Sequence, residues 1–171
     1  MPSDVRTTLS VVLKCLETSD TTTGFGSHRS MLKHDGAYTI SMLDGTDANE
    51  SDLVYSLFTS VSTGVPHDHD LVSLVSGLTG STLTYAEVTA IVLVNESQTP
   101  GESVTVGAGS NPVSSIWGAA GDAVVVGPGG VLVLTSPVDG YAVTASTADI
   151  LRVSTTSSGV SYRLIILGRS A

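Results

Sequence analysis

The sequence predicts an all-β protein, a β-sandwich or jelly roll with an N-terminal arm or extended loop. Three observations carry that reading. Short runs rich in Val, Ile, Leu, Thr and Tyr recur along the chain, bounded by Gly, Pro, Asn, Asp and Ser. Turn signals fall at the close spacing that a sandwich or barrel requires. The 171 residues suffice for one folded body with a core of its own, and no second domain is needed.

Taken in order, "LSVVLKCLE" (9–17) reads as a short helix, a strand or part of an extended arm, since Val11 and Val12 weaken the helical alternative. Residues 18–37 hold Gly24, Gly26 and Gly36 and little regular pattern, so a loop or arm is expected there. This divides the chain into an N-terminal strand, arm and loop (1–37) and a β-sandwich domain (38–171). Strands are then expected at 38–43, 53–61, 83–95, 102–107, 123–127, 131–136, 141–145, 150–154 and 161–168. Between the fifth and sixth of these, "GPGG" (127–130) reads as a hairpin, with Pro128 presetting φ and Gly129 and Gly130 free to take positive φ. The flanking "AVVV" and "VLVL" should then pair antiparallel. Their unbroken apolar character predicts cover on both faces, from a second sheet or a neighbouring subunit. Asp139 and Gly140 mark a further turn, and "STTSSG" (154–159) reads as a polar hairpin tip before the closing strand.

Composition removes several classes of function. Sixteen acidic and seven basic residues give a formal charge of −9, so no broad cationic surface exists for nucleic acid or anionic lipid. No run reaches the ~18 apolar residues of a membrane span. The N-terminus carries an acid at Asp4 and Lys14 within its apolar segment, unlike a secretory signal. A single cysteine, Cys15, cannot form an internal disulfide, which suits a protein folded in a reducing cytoplasm. Charged residues make up 13% of the chain, against roughly 25% in an average soluble domain, and mean hydropathy is +0.30, so part of the surface is expected against another chain.

Few residues suggest chemistry. "HDHD" (His67, Asp68, His69, Asp70) could offer imidazole and carboxylate to a divalent ion, with His67 and His69 on one strand face, yet no third ligand is identifiable. Asp44, Asp47, Glu50 and Asp52 form an acidic turn without the alternation and glycine of a calcium loop. His28 and His34 belong to no recognisable triad, and Cys15 beside Lys14 fits a buried thiol better than a nucleophile. Gly107 and Gly109 lack the third glycine and following helix of a dinucleotide fingerprint. Sequons at Asn49 and Asn95 would matter only in a eukaryotic secretory pathway. Trp117 could anchor an interface or plug the core end, and Tyr38, Tyr55, Tyr85, Tyr141 and Tyr162 suit packing. The expectation is therefore a non-enzyme with no cofactor, no metal and no catalytic residue.

The segments "LTYAEVTAIVLVN", "VTVGAGSNPVSSIWG", "VGPGGVLVLTSPVDGYAVTASTADILRVS" and "YRLIILGRS" resemble a family of small β-rich virion proteins of tailed bacteriophages, from about Leu53 onward. The resemblance implies a head decoration or cement protein, made in the host cytoplasm and placed on the outer surface of the head. Its partners would be the major capsid protein and copies of itself, as a dimer or trimer, with neither nucleic acid nor membrane. It transfers no binding residue by position. A tail, baseplate or fibre component is the alternative within virions, and a carbohydrate-binding β-sandwich the alternative outside them.

Overall fold

The computed structural model describes residues 7–23 and 26–170, with side chains for 8–10 and 38–170. The chain forms two compact units, one of residues Thr7–Ser41 and one built from Met42 onward. The described residues are almost entirely strand and turn, and the fold is all-β.

In the first unit, β1 (Thr7–Thr23) pairs with β2 (Gly26–Met42) as a two-stranded sheet. Each strand has 17 residues, about 55 Å of extended chain. The Ser10 and Thr39 hydroxyls lie 3.3 Å apart and fix those two residues on one face of the ribbon. Residues 9–17 are thus strand. The expectation of irregular chain over 18–37 is corrected for the residues described there, which are strand too. A two-stranded ribbon tolerates Gly and Asp because it buries neither face within itself, so the composition that mimics a loop is compatible with pairing.

The second unit contains eight strands of four residues or more: β3 (Leu53–Val61), β4 (His67–Asp70), β7 (Glu87–Asn95), β8 (Val104–Gly107), β9 (Ala123–Val126), β10 (Val131–Thr135), β12 (Ile150–Ser154) and β13 (Val160–Arg169). Shorter pieces are β5 (Leu74–Val75), β6 (Thr82–Leu83), β11 (Tyr141–Ala142) and one helical turn, α1 (Ser114–Trp117). One sheet runs β10-β7-β13-β3, with β11 also on β7; another runs β4-β12-β8-β9. Every ladder in these two sheets is antiparallel.

The pairing is nested. Among the eight longer strands the first pairs with the eighth (β3, β13), the second with the seventh (β4, β12), the third with the sixth (β7, β10) and the fourth with the fifth (β8, β9). All connections between successive members except β8 to β9 therefore pass from one sheet to the other.

That topology corrects two expectations. β9 pairs with β8 and β10 with β7, so "GPGG" joins two sheets and is no hairpin. The turn chemistry is as expected: Gly130 N–H donates to the Gly127 carbonyl at 2.9 Å and Gly129 sits at φ 66°. A turn fixes reversal of the chain; which strands pair depends on distant partners. For the same reason "STTSSG" links β12 to β13 across the sheets. The long run 83–95 is also broken: β6 ends at Leu83 and β7 begins at Glu87, because Tyr85 turns into the core and its N–H bonds Leu71 O at 2.9 Å.

Alternation decides what is buried. Along β13, Val160, Tyr162, Leu164 and Ile166 are fully buried, and the facing sheet contributes Val104, Val106, Leu151 and Val153 to the same hydrophobic cluster. Both sheets thus share one core. Cover of both faces of β9 and β10 does not occur among the described residues: Val126 faces the core and Leu132 and Leu134 pack against it, while Val125 is 66% and Val131 58% exposed.

Candidate functional site

Strand β4 sorts its four polar residues by the period of two. Asp68 points outward and is held by Arg152, its cross-strand partner on β12, through Nε to Oδ1 at 2.6 Å and Nη2 to Oδ2 at 2.7 Å. The hydrogen bond from this guanidinium lowers the Asp68 pKa. Asp70 closes the following turn, accepting from Val72 N–H at 3.0 Å and Ser73 Oγ at 2.8 Å.

His67 and His69 point inward and converge on the phenol of Tyr162, from β13 of the opposite sheet. His67 Nδ1 lies 2.8 Å and His69 Nε2 3.0 Å from Tyr162 Oη. The phenol has one proton and two lone pairs, so it donates to one imidazole and accepts N–H from the other. All three groups are thereby satisfied while neutral. Burial, with the neighbouring His67 charge as a second cause, pushes the His69 pKa down to about 4. Burial raises those of Tyr162 and Tyr55, the latter ring lying 6.0 Å from His69.

This arrangement holds two sheets together by a polar tie. Both imidazoles are engaged with the phenol, and no Ser or Cys is hydrogen-bonded to either as a nucleophile among the described residues. Nor do the described residues contain a group of three or more His, Cys, Asp and Glu side chains placed to hold a metal. Sequence reasoning placed the two histidines on one face and missed Tyr162, 93 residues from His69. The available signal was a buried-strand tyrosine, whose hydroxyl needs a partner.

The acidic turn is not one site. Glu50 accepts from the Asp47 N–H at 2.9 Å, while Asp52 takes the backbone N–H and hydroxyl of Ser170 at 2.8 and 2.5 Å. The loop is also pinned by Arg169, another residue that the sequence did not single out. Its side chain is 5% exposed, its Nη1 donates to Asp47 O at 2.9 Å, and its Nη2 reaches Val138 O at 3.2 Å and Glu87 Oε2 at 2.9 Å. Trp117 is 6% exposed and belongs to the core cluster, with Tyr55, Tyr85 and Tyr162. Tyr38 is 67% exposed. The side chains of Cys15, His28 and His34 lie outside those described.

The two sheets differ on their outer faces. Outside the four-stranded sheet stand Asp68, Asp70, Thr105, Arg152 and Ser154, with Ile150 beside Asp70 and Val125 beside Thr105, a mostly polar exterior of the kind an antiparallel sheet shows to water. Outside the five-stranded sheet the cross-strand rows read Phe58, Arg163, Val94, Val131 and then Ser56, Ile165, Val92, Val133. The one charge in these rows, Arg163, bonds Glu96 at 3.0 Å and lies 5.4 Å over the Phe58 ring.

The fold and these features define an all-β domain with a neutral polar tie between its sheets and an apolar outer face on one of them. No family model, curated protein or solved structure matches the chain.

Proposed function

We propose that the chain is a structural virion protein that decorates and stabilises a bacteriophage capsid from outside. The observation that carries the reading is the separate two-stranded unit, Thr7–Ser41. An isolated two-stranded ribbon is at best marginal in water, and strands of 17 residues would gain from a surface to lie on. In a cement protein that surface is the shell.

Two features support this. The nested pairing of eight strands is the winding of a jelly roll, an architecture that recurs in viral capsid and lectin domains; this is an argument from fold alone. A charge of −9 is repelled by packaged DNA and suits an outer position. Burial of Trp117, the only tryptophan, removes the ring on which a saccharide would best stack, and so favours the structural reading over a carbohydrate-binding one. The test is co-sedimentation of the full chain with expanded heads lacking it. Saturable binding at a fixed ratio to the shell protein is expected; absence of binding, with the protein on isolated tails, would overturn the head assignment.

A further inference from the structure

We infer that the outer face of the five-stranded sheet is a self-association surface, on which a second copy of this chain packs through the same face. The contrast between the two outer faces is the starting point. Both belong to antiparallel sheets over one core, yet one sets Ile150 and Val125 among Asp68, Asp70, Thr105, Arg152 and Ser154, while the other carries Phe58, Val92, Val94, Val131, Val133 and Ile165 with only Ser56 and Arg163 among them. Phe58 and Val131 are 62% and 58% exposed, and Val92, Val94, Val133 and Ile165 are half-buried. Alternation in water would place polar side chains at these positions. Isolated exposed apolar residues are ordinary; four adjacent strands presenting them in register are a contact surface.

Charge selects the occupant. The chain carries −9, so copies repel through most of their surface. The face is the exception: Arg163 is its one charge, and Glu96 neutralises it in place. Two copies can close on this face without burying an unpaired charge. The shape agrees. A twisted sheet face is best covered by another sheet, and a two-fold axis lets each copy supply to the other the surface it needs.

Area sets the strength. Four strands at ~4.8 Å spacing and two side-chain rows at ~6.8 Å make a face of about 19 by 14 Å, roughly 260 Å² per copy before side-chain relief. Stable interfaces bury about 800 Å² per partner. The pair is therefore weak in isolation and gains strength only where copies are held close together.

Sedimentation equilibrium of the full chain, without heads, tests this separately from the capsid reading. The expected result is a mass rising from monomer towards dimer with concentration, and a dissociation constant raised about tenfold or more in V92T/I165T, which keeps β-branched residues in both strands. T105V, on the polar outer face, should leave it unchanged. V131T, at an exposed position, serves if the double variant fails to fold, judged by circular dichroism. A chain that stays monomeric up to about 1 mM, a closed trimer, or a dimer indifferent to V92T/I165T and V131T would overturn the inference.

Discussion

Acid should weaken the fold through His69 before it reaches the carboxylates. His69 is 6% exposed, and its pKa is lowered from 6.5 to about 4 by burial first and by the nearby His67 charge second. Asp68, next in sequence, opposes that shift; Tyr162 accepts or donates one hydrogen bond, and Tyr55 lies alongside. The folded pKa lies below the unfolded one, so between pH 6.5 and 4 the unfolded chain binds more protons. The stability contribution is full above pH 6.5 and lost as pH falls towards 4. A shift of about 2.5 units corresponds to about 3 kcal/mol. Protonation also fixes the local pattern: His69 must then donate to the phenol, which is left His67 Nδ1 as its acceptor within the trio. The assay is urea unfolding at a series of pH values from 7.5 to about 4. The wild type should lose about 3 kcal/mol over that range, and H69Q, which retains an uncharged polar group, should lose much less. Asp68 titrates below its usual value and so contributes at lower pH. A wild type with flat stability over this window, or an H69Q variant with the same slope, would refute the argument.

Three further outcomes follow from packing. Trp117 is the only tryptophan and is buried, so native fluorescence should be blue-shifted and should redden on unfolding; W117A should cost about 3–5 kcal/mol by urea denaturation. R169M removes the donor to the Asp47 and Val138 carbonyls and to Glu87, and should cost about 2–3 kcal/mol, with increased protease cutting in the 44–52 loop. G168A would place a Cβ 2.2 Å from Glu87 O and 2.4 Å from the Tyr85 ring at the β7–β13 bulge, so a loss of about 3 kcal/mol or failure to fold is expected.

Local chemistry was legible in the sequence and long-range pairing was not. β3 and β12 fall at the expected residues because apolar periodicity and flanking turn residues are local properties. The same local signals placed turns correctly at Gly129 and Gly140, both at positive φ. Whether a turn closes a hairpin or crosses between sheets depends on partners such as Leu93 for Leu132 and Val104 for Val126, far away in sequence. The polar tie divides likewise. The spacing of His67 and His69 puts them on one face, but Tyr162 is brought to them by β13 lying in the other sheet. The strands described within 18–37 were hidden because the glycines and charges of that stretch imitate a loop, and a two-stranded sheet buries too little to impose a pattern.

The most direct measurement of the proposed role is survival of heads on heating, with the purified full-length chain titrated onto heads assembled without it. The account predicts a gain in survival that saturates at a fixed ratio to the shell protein. Heads that break at the same temperature at every ratio of added protein would contradict it.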